Sequence, residues 1–389
     1  MSFRCVNAVY QKEMLEISRD RRTLISMVLM PVVVMPLLFS MIGRFAASSS
    51  QDAERDAAKI AVSPGLIPRA VSDALKSGGL ALIEKANPRS AVEAKEVAAG
   101  ISASGTEDEK QFEIYLDKTR QASEIAGEKA SVILGTLKDE TVRNSLRGSG
   151  VSEKLLTPFT VTSVNVASEK KMGGFIFGTS IGYVVVILMV TGTLYPAVDT
   201  AAGEKERRTL EALICSPAPR NDLVMGKILA CATASFITGV LALAAMLYSY
   251  KSGSMKALMG GKVSFDILDP AAIGLVFVCV IPLAMLFASL MVAISFFAKS
   301  YKEGQSYLTP LLLVVIFPAV LGMLPGMELT PVLALIPVFN VCQVIKALFL
   351  GNIPSLALAI TCGSNLVYAG LAYLFAVRVF RAEGVLFRV

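Results

Sequence analysis

Long apolar runs, separated by polar segments, are the main pattern along the chain. A membrane-spanning helix needs about 20 consecutive, mostly apolar residues. Six runs approach or exceed that length, and none of them contains Asp, Glu, Lys or Arg. The pattern therefore predicts a polytopic α-helical membrane protein with six transmembrane helices. The predicted spans are residues 24–42, 173–195, 228–250, 271–297, 307–324 and 355–377.

A seventh apolar stretch, residues 331–350, is ambiguous because it contains Lys346 as well as Pro337 and Asn340. A lysine near the centre of a membrane costs about 2.5–3.5 kcal/mol on insertion scales. We expect the segment 329–352 to be a re-entrant or interfacial element on the outer side, not a seventh span.

Basic residues concentrate in an alternating set of the polar segments. They lie before the first predicted span, between the second and third, between the fourth and fifth, and after the last. Short cytoplasmic loops of membrane proteins carry an excess of Lys and Arg. We therefore expect an even number of crossings, with both termini in the cytoplasm.

The N-terminal residues 1–23 have the period of an amphipathic helix. Apolar side chains recur at spacings of three and four, and the basic residues fall between them. Such a helix next to a span usually lies in the membrane interface. The run that follows is longer than the apolar core of a signal peptide, so residues 24–45 are expected to be an uncleaved first transmembrane segment. The predicted apolar face consists of Phe3, Val6, Tyr10, Met14 and Ile17.

A polar insert, residues 46–171, separates the first span from the five others in residues 172–389, and it is long enough to be a domain. Strand-like and helix-like segments alternate along it, which predicts a mixed α/β fold. The charge distribution puts this domain outside the cytoplasm. We expect a flexible link at residues 48–50 and a loop at residues 102–109. The predicted strands are residues 59–63, 80–84, 112–117 and 159–166, and the predicted helices are residues 67–76, 88–99 and 122–146.

The composition narrows the possible functions. Of the 389 residues, 54% are hydrophobic and 17% are charged, against about 25% charged in soluble domains. The sequence has no histidine, which excludes His-dependent triads and HExxH zinc sites. A P-loop needs Ser or Thr after its Gly-Lys pair, whereas Ile228 follows Gly226-Lys227. We expect no catalytic site, metal or cofactor on this chain, and no nucleic-acid partner.

The loop between the second and third predicted spans is dense in charge. Residues 204–214 are predicted to form one short helix, with pairs Glu204–Arg208 and Arg207–Glu211 at the favourable spacing of four. An amphipathic helix of this kind suits docking into a groove on another protein. Its predicted apolar patch consists of Leu210, Leu213 and Ile214.

Several motifs resemble the type-2 ABC exporter permease family, and within it the NatB-like, sodium-exporter-type branch. The most specific stretch is Gly203-Glu204-Lys205-Glu206-Arg207-Arg208-Thr209-Leu210-Glu211, followed by Ser216-Pro217 and Gly226-Lys227. Supporting matches are Lys12-Glu13, Arg19-Asp20-Arg21-Arg22-Thr23, Met30-Pro31, and Ile336-Pro337 with Asn340. The large domain between the first two spans matches the family in placement only.

The resemblance implies that the chain is the permease subunit of an ATP-driven exporter and not itself an enzyme. ATP and magnesium would be bound by a separate ABC ATPase subunit. The other partners would be the lipid bilayer and a second permease chain, with a homodimer favoured over a heterodimer, in the cell (inner) membrane. Residues 203–216 would form the coupling helix on the ATPase, with Gly203 to Glu211 as its contact residues. The interfacial helix would use Lys12, Glu13, Arg19, Asp20, Arg21 and Arg22, and the re-entrant segment Pro337 and Asn340.

A second reading stays open at this point. The chain would then be a membrane-anchored sensor or assembly protein whose extracytoplasmic domain binds a ligand or partner. That role does not require six spans or a docking helix. The sequence does not distinguish an ion from a lipid, peptide or drug as the substrate of an exporter.

Overall fold

A computed structural model describes residues 2–382, except for residues 66, 106–109, 149–168, 252–269, 325–326, 328 and 352–354. The chain divides into two compact units. Unit 1 comprises Met1–Ile42 and Val166–Val389, and unit 2 comprises Gly43–Asn165.

Helices account for most of the described chain. The α-helices are α1 (Phe3–Arg19), α2 (Arg21–Leu24), α3 (Met35–Ala57), α4 (Arg69–Ser77), α5 (Pro88–Glu93), α6 (Gln121–Gly148), α7 (Glu169–Val198), α8 (Glu204–Glu206), α9 (Thr209–Ile214), α10 (Arg220–Lys251), α11 (Pro270–Ser295), α12 (Tyr301–Leu321), α13 (Phe339–Phe349) and α14 (Ser355–Arg381). Two π-helices, Ile25–Val34 and Asp199–Gly203, and a 3₁₀ turn, Leu333–Leu335, lie between them. The strands are β1 (Lys59–Val62), β2 (Ala81–Glu84), β3 (Ala99–Gly105) and β4 (Lys110–Leu116).

The six predicted spans are confirmed as helices that are long and apolar enough to cross a membrane. In the described part of the chain these helical segments number six, and each contains or overlaps one predicted run. The first and fifth helices are mostly exposed, whereas each of the other four has a larger fraction of its residues buried. The segments are Arg21–Phe45, Gly178–Glu206, Arg220–Lys251, Ala271–Ser295, Tyr301–Leu321 and Ser355–Arg381.

Helix α7 is the centre of unit 1, where it packs against α10, α11, α12 and α13. Glycines allow the closest of these approaches. A Cβ on Gly178 would lie 2.9 Å from the Cβ of Phe349, and one on Gly182 would lie 3.0 Å from the carbonyl oxygen of Cys342. Small residues at such positions are typical of helix contacts inside membranes.

The ambiguous stretch 331–350 contains the short helix α13 (Phe339–Phe349). Its 11 residues extend about 16 Å at 1.5 Å per residue, which is too short for a hydrocarbon core of about 30 Å. Ten of those residues are buried, so α13 is an internal element of unit 1. The side from which it enters is not defined by this geometry and stays a prediction.

Unit 2 contains a four-stranded sheet with the order β2-β1-β3-β4. Strand β1 is parallel to β2 and β3, and β3 pairs with β4 in antiparallel register, with Ile101 opposite Ile114. Helices α4 and α6 pack with one apolar cluster around Ile60 and Leu75, and α5 packs with another around Ala61 and Val92.

Three expectations for residues 46–171 are wrong. Residues 48–50 lie inside α3 and do not form a flexible link. The predicted helix 88–99 ends at Glu93, because Lys95 adopts a left-handed φ of 60° directly after the C-cap, and Ala99 begins strand β3. This strand occupies much of the predicted loop 102–109. The predicted strand 159–166 lies outside the described residues.

The buried face of α1 differs from the predicted one. It consists of Val6, Val9, Glu13 and Ile17, whereas Phe3, which was expected on it, is 83% exposed. The face is rotated toward α10, where Gly226 has no side chain. A Cβ at Gly226 would lie 2.7 Å from the Cβ of Val9. The close approach of α1 to α10 therefore requires glycine at this position.

Gly226→Val is expected to displace α1 from α10. Overpacking of this kind costs about 1–3 kcal/mol, so α1 should become more susceptible to trypsin and the thermal midpoint in detergent should fall. Gly274→Val is the matched control, since a Cβ at Gly274 meets no atom within 4 Å. Equal trypsin sensitivity of the two variants would contradict the packing role of Gly226.

Candidate functional site

A buried lysine, Lys227 on α10, is the centre of the candidate site, and its side chain is fully inaccessible. Its Nζ lies 2.7 Å from Glu13 Oε1 on α1 and 2.6 Å from Glu204 Oε2 on α8. The ammonium also donates a hydrogen bond of 2.8 Å to the carbonyl oxygen of Thr200, in the second π-helix. One side chain thus joins four helical segments that are distant in sequence.

A second lysine, Lys12, joins the same carboxylates from the edge of the site. Its Nζ lies 3.1 Å from Glu13 Oε1 and 3.3 Å from Glu16 Oε1, and it forms an ion pair with Glu204. We refer to Lys12, Glu13, Glu204 and Lys227 as the charge cluster. Its two ammonium groups balance its two buried carboxylates.

The pKa values of Glu13 and Lys12 on α1 depend on burial and on the opposite charges beside them, which act in opposite directions. Burial raises the pKa of Glu13, and the neighbouring Glu204 adds to this, while Lys227 and Lys12 oppose it. Burial lowers the pKa of Lys12, but attraction to Glu13 and Glu204 outweighs it, so this pKa is raised. Lys12 therefore stays charged where the chain holds it against two glutamates.

Three carboxylates come close enough to hold a cation between them. Oxygens of Glu13, Glu16 and Glu204 all lie within 4.8 Å of one another. The ammonium groups of Lys12 and Lys227 already contact these oxygens. Because the lysines supply the positive charge, we assign no metal site to this part of the described chain.

The three residues after Glu204 each contact a different part of unit 1. Lys205 Nζ donates to the carbonyl oxygen of Phe296, which follows α11. Glu206 Oε2 accepts a 2.7 Å hydrogen bond from the backbone N–H of Tyr301, at the start of α12. Arg207 lies 2.8 Å from Asp199, and this hydrogen bond raises the pKa of the guanidinium.

The predicted continuous helix 204–214 is wrong. Helix α8 ends after Glu206, and Arg208 adopts left-handed φ of 59° before α9 begins at Thr209. This break separates the residues of both predicted i,i+4 pairs. Glu204 pairs instead with Lys12 on α1 and Lys227 on α10. Arg207 pairs with Asp199 in the preceding π-helix.

The predicted apolar patch is largely turned into unit 1, and of its three residues Leu213 also lines the open cavity described below. Leu210 is 3% exposed, and Leu213 and Ile214 pack against the main core of unit 1. Gly203 and Glu204 are also buried. The exposed surface of the segment is formed by Glu206, Arg207, Arg208, Thr209, Glu211 and Ala212.

The charge cluster lies beside an open cavity of about 860 Å³, which we call the polar groove. One wall comes from α1 and the residues that follow it, and the other comes from α8, α9 and Tyr301. Most of the predicted interfacial and coupling residues therefore meet around one space. The lining residues are Lys12, Glu16, Arg19, Asp20, Arg22, Asp199, Gly203, Glu206, Arg207, Thr209, Ala212, Leu213, Ser216 and Tyr301.

Asp20 has a local role at the junction between α1 and the first span. Its carboxylate accepts hydrogen bonds from the backbone N–H groups of Arg22 and Thr23 and from the Thr23 hydroxyl. Burial raises the pKa of this carboxyl, but the hydrogen bonds together outweigh burial, so the pKa is lowered. Asp20 is thus the N-cap of α2, while Arg19, Arg21 and Arg22 stay exposed.

The two predicted residues of the re-entrant segment lie elsewhere in unit 1. Asn340 is fully buried, and its Nδ2 donates to the carbonyl oxygen of Ala334 and to Ser364 Oγ, at 2.9 Å and 3.2 Å. Pro337 is half-buried in the turn before α13. These contacts join α13 to α14 and are separate from the polar groove.

The links from Lys227 on its own helix α10 to α1 and α8 were missed in the sequence analysis. Gly226-Lys227 was read only as a family match that precedes the third span. A signal was present in the sequence, because Glu13 continues the spacing of Val6, Val9 and Ile17 on one face of α1. A carboxylate on an otherwise apolar helical face indicates a buried cationic partner.

Lys227→Met is expected to loosen α1 and α8 together. Removing one partner of a buried ion pair costs about 3–5 kcal/mol, so the thermal midpoint in detergent should fall and proteolysis near α1 should increase. Adding Glu13→Gln and Glu204→Gln should restore part of the loss, because no buried carboxylate then lacks its cation. The control is Lys302→Met, at an exposed position. A triple variant less stable than Lys227→Met alone would contradict this account.

Comparison with known proteins places the chain in a family. A sequence model described as "ABC-2 family transporter protein" matches residues 21–378. The chain is also 24% identical over 380 residues to the "ABC transporter permease protein NatB" of Bacillus subtilis (strain 168), with 95% of this chain and 96% of that protein covered. Together with the six membrane-length helices, these matches show that the chain belongs to the ABC-2 transporter family and is a multi-pass membrane permease.

Proposed function

We propose that this chain is the permease subunit of an ATP-driven exporter, and that a separate ATPase subunit docks in the polar groove. The observation that carries the proposal is the polar groove itself, because it joins α1 to the segment between the second and third spans. Charged side chains are exposed on both walls, and Ala212 and Leu213 add an apolar strip. A groove of this composition suits a helix or loop of a partner protein.

The charge cluster supports a coupling role because it links the groove to a transmembrane helix. Glu13 lies on α1 and Glu204 on α8, and these helices contribute other residues to the two walls of the groove. Both carboxylates pair with Lys227 on α10. Glu206 and Lys205 extend the contacts to α12 and to the end of α11. A partner that moves one wall of the groove would therefore move the ends of several spans.

ATP hydrolysis is assigned to the partner, which would also bind magnesium. The Gly226-Lys227 pair lies within helix α10, with Gly226 against Val9 and Lys227 in the charge cluster. These residues are not in a loop that could surround phosphates. The family match and the relative named as a permease protein support a transport role over that of a sensor.

We also propose that two copies of the permease assemble with two ATPases. The first and fifth spans are the most exposed in the single chain, which leaves apolar surface for a second copy as well as for lipid. A homodimer is favoured because one chain contains all the elements described here. The proposed direction is export, and the proposed location is the cell (inner) membrane.

Ala212→Arg tests the docking proposal without touching the charge cluster. Ala212 is exposed and lines the groove, so a long cationic side chain would fill the docking space. When the full chain is co-expressed with its ABC ATPase, we expect at least a tenfold loss of co-purified ATPase and of the ATP hydrolysis that the permease stimulates. A tenfold loss of affinity corresponds to about 1.4 kcal/mol of binding free energy.

The matched control is Cys215→Arg, since Cys215 is exposed one turn further along but does not line the groove. This variant should retain the ATPase. Retention by both variants, with unchanged stimulation, would overturn docking in the polar groove. Loss in both would point to general damage to this segment and would also count against a groove-specific contact.

The proposed topology has both termini in the cytoplasm and unit 2 outside. Lys76 is exposed on α4 of unit 2, and the native Cys215 is exposed in unit 1. In whole cells, a membrane-impermeant maleimide should label Lys76→Cys at once and Cys215 only after permeabilisation. The opposite order of labelling would reverse the topology, and simultaneous labelling would exclude it.

A further inference from the structure

A second cavity of about 520 Å³ opens along the first span, and we call it the apolar groove. One wall is the π-helix Ile25–Val34 with the turns on either side of it. The facing wall is one side of α7, and Leu312 of α12 closes the far edge. The lining residues are Arg22, Ile25, Ser26, Met30, Met35, Ile187, Leu188, Thr191, Leu194, Tyr195 and Leu312.

Two of the three hydroxyl groups in the lining of this groove are already hydrogen-bonded within their own helices. Ser26 Oγ donates to the carbonyl oxygen of Thr23, and Thr191 Oγ1 donates to that of Leu188, so both are engaged within their own helices. Tyr195 is the third residue of the lining that carries a hydroxyl. Apart from Tyr195 and Arg22, the remaining wall is aliphatic or methionine side chain. The groove is therefore suited to a hydrocarbon chain.

The length of the groove fits one leaflet of a bilayer. Its α7 wall extends from Ile187 to Tyr195, which is about 12 Å at 1.5 Å per residue. The hydrocarbon core of a bilayer is about 30 Å thick, so the groove covers most of one half. A smaller apolar cavity, lined by Ile187, Thr191, Leu312 and Val315 among others, extends it along α12.

One end of the groove is cationic. Arg22 lines both the apolar groove and the polar groove, and it is exposed. Arg19 and Arg21 are exposed beside it, whereas the intervening Asp20 carboxylate is engaged as the cap of α2. An amphiphile in the groove would thus meet positive charge where its hydrocarbon ends.

We propose that the apolar groove binds one acyl chain of an anionic phospholipid from the surrounding bilayer, with the headgroup at Arg22. The hydrocarbon lies between the first span, α7 and α12, and the phosphate lies where the two grooves meet. The assignment does not require ATPase docking, because the acyl chain lies in a different cavity and Arg22 is the residue that the two grooves share. A lipid held there stabilises the contact between the least buried spans and the core helix α7.

Tryptophan fluorescence offers a direct test, since the native chain contains no Trp. Leu312→Trp puts a single reporter in the groove, and Ile187→Trp is a second reporter from the facing wall. The full chain would be placed in nanodiscs of phosphatidylcholine that contain a small, equal fraction of bromine-labelled phosphatidylglycerol or phosphatidylcholine. One arginine near the headgroups favours an anionic lipid about fivefold, so brominated phosphatidylglycerol should quench Leu312→Trp about fivefold more effectively.

Two matched controls make the result specific to the groove. Leu313→Trp adds a reporter on the adjacent residue of α12, which is 67% exposed and does not line the groove. It should be quenched equally by both lipids. Arg22→Gln in the Leu312→Trp background should abolish the preference, whereas Arg21→Gln should retain it, because Arg21 lines neither groove.

Three results would overturn the proposal. Equal quenching by the two lipids at Leu312→Trp and Ile187→Trp would mean that the groove does not select an anionic headgroup. Loss of the preference with Arg21→Gln as well as Arg22→Gln would assign it to general surface charge. Protection of Leu312→Trp from both lipids, with Leu313→Trp quenched, would mean that protein, such as a second copy of the chain, fills the groove.

Discussion

The ammonium of Lys227 is the constraint on which this end of unit 1 depends. A fully buried charge is tolerated only when oppositely charged groups and hydrogen-bond acceptors surround it. Glu13, Glu204 and the carbonyl oxygen of Thr200 meet that need, and they come from three different helical segments. Helices α1, α8 and α10 must therefore pack together as a group. If any one of them is displaced, Lys227 or one of its two carboxylates is separated from an oppositely charged partner.

The sequence predicted the large-scale organisation because that organisation depends on length and hydropathy. Six apolar runs became six membrane-length helices, and β1, β2 and β4 correspond to predicted strands. Strand β3 was missed because Ala99, Gly100, Ser102 and Gly105 have little strand preference of their own. Its position comes from pairing with β1 on one side and β4 on the other, which is a long-range effect.

The candidate site was predicted only in part, because its contacts also depend on residues that are distant in the sequence. The motif residues of α1 and of residues 203–211 do converge on one space, but their individual contacts could not be read from local spacing. Glu204 was paired with Arg208 on the assumption of a regular helix, whereas the positive φ of Arg208 ends that regularity. The observed partners of Glu204 are Lys12, which lies 192 positions away in the sequence, and Lys227 on α10. They come together where α1 packs against α10 at Gly226.

Helix α13 has a consequence for the order in which the protein is assembled. It precedes α14 in the chain, yet its buried Asn340 amide donates to Ser364 on α14. When the residues of α13 are added to the growing chain, the carbonyl oxygen of Ala334, six residues earlier, is already present for that amide, but Ser364 has not yet been added. The last span therefore completes the hydrogen bonding of α13, and a chain truncated before α14 would leave the Asn340 amide without its Ser364 acceptor.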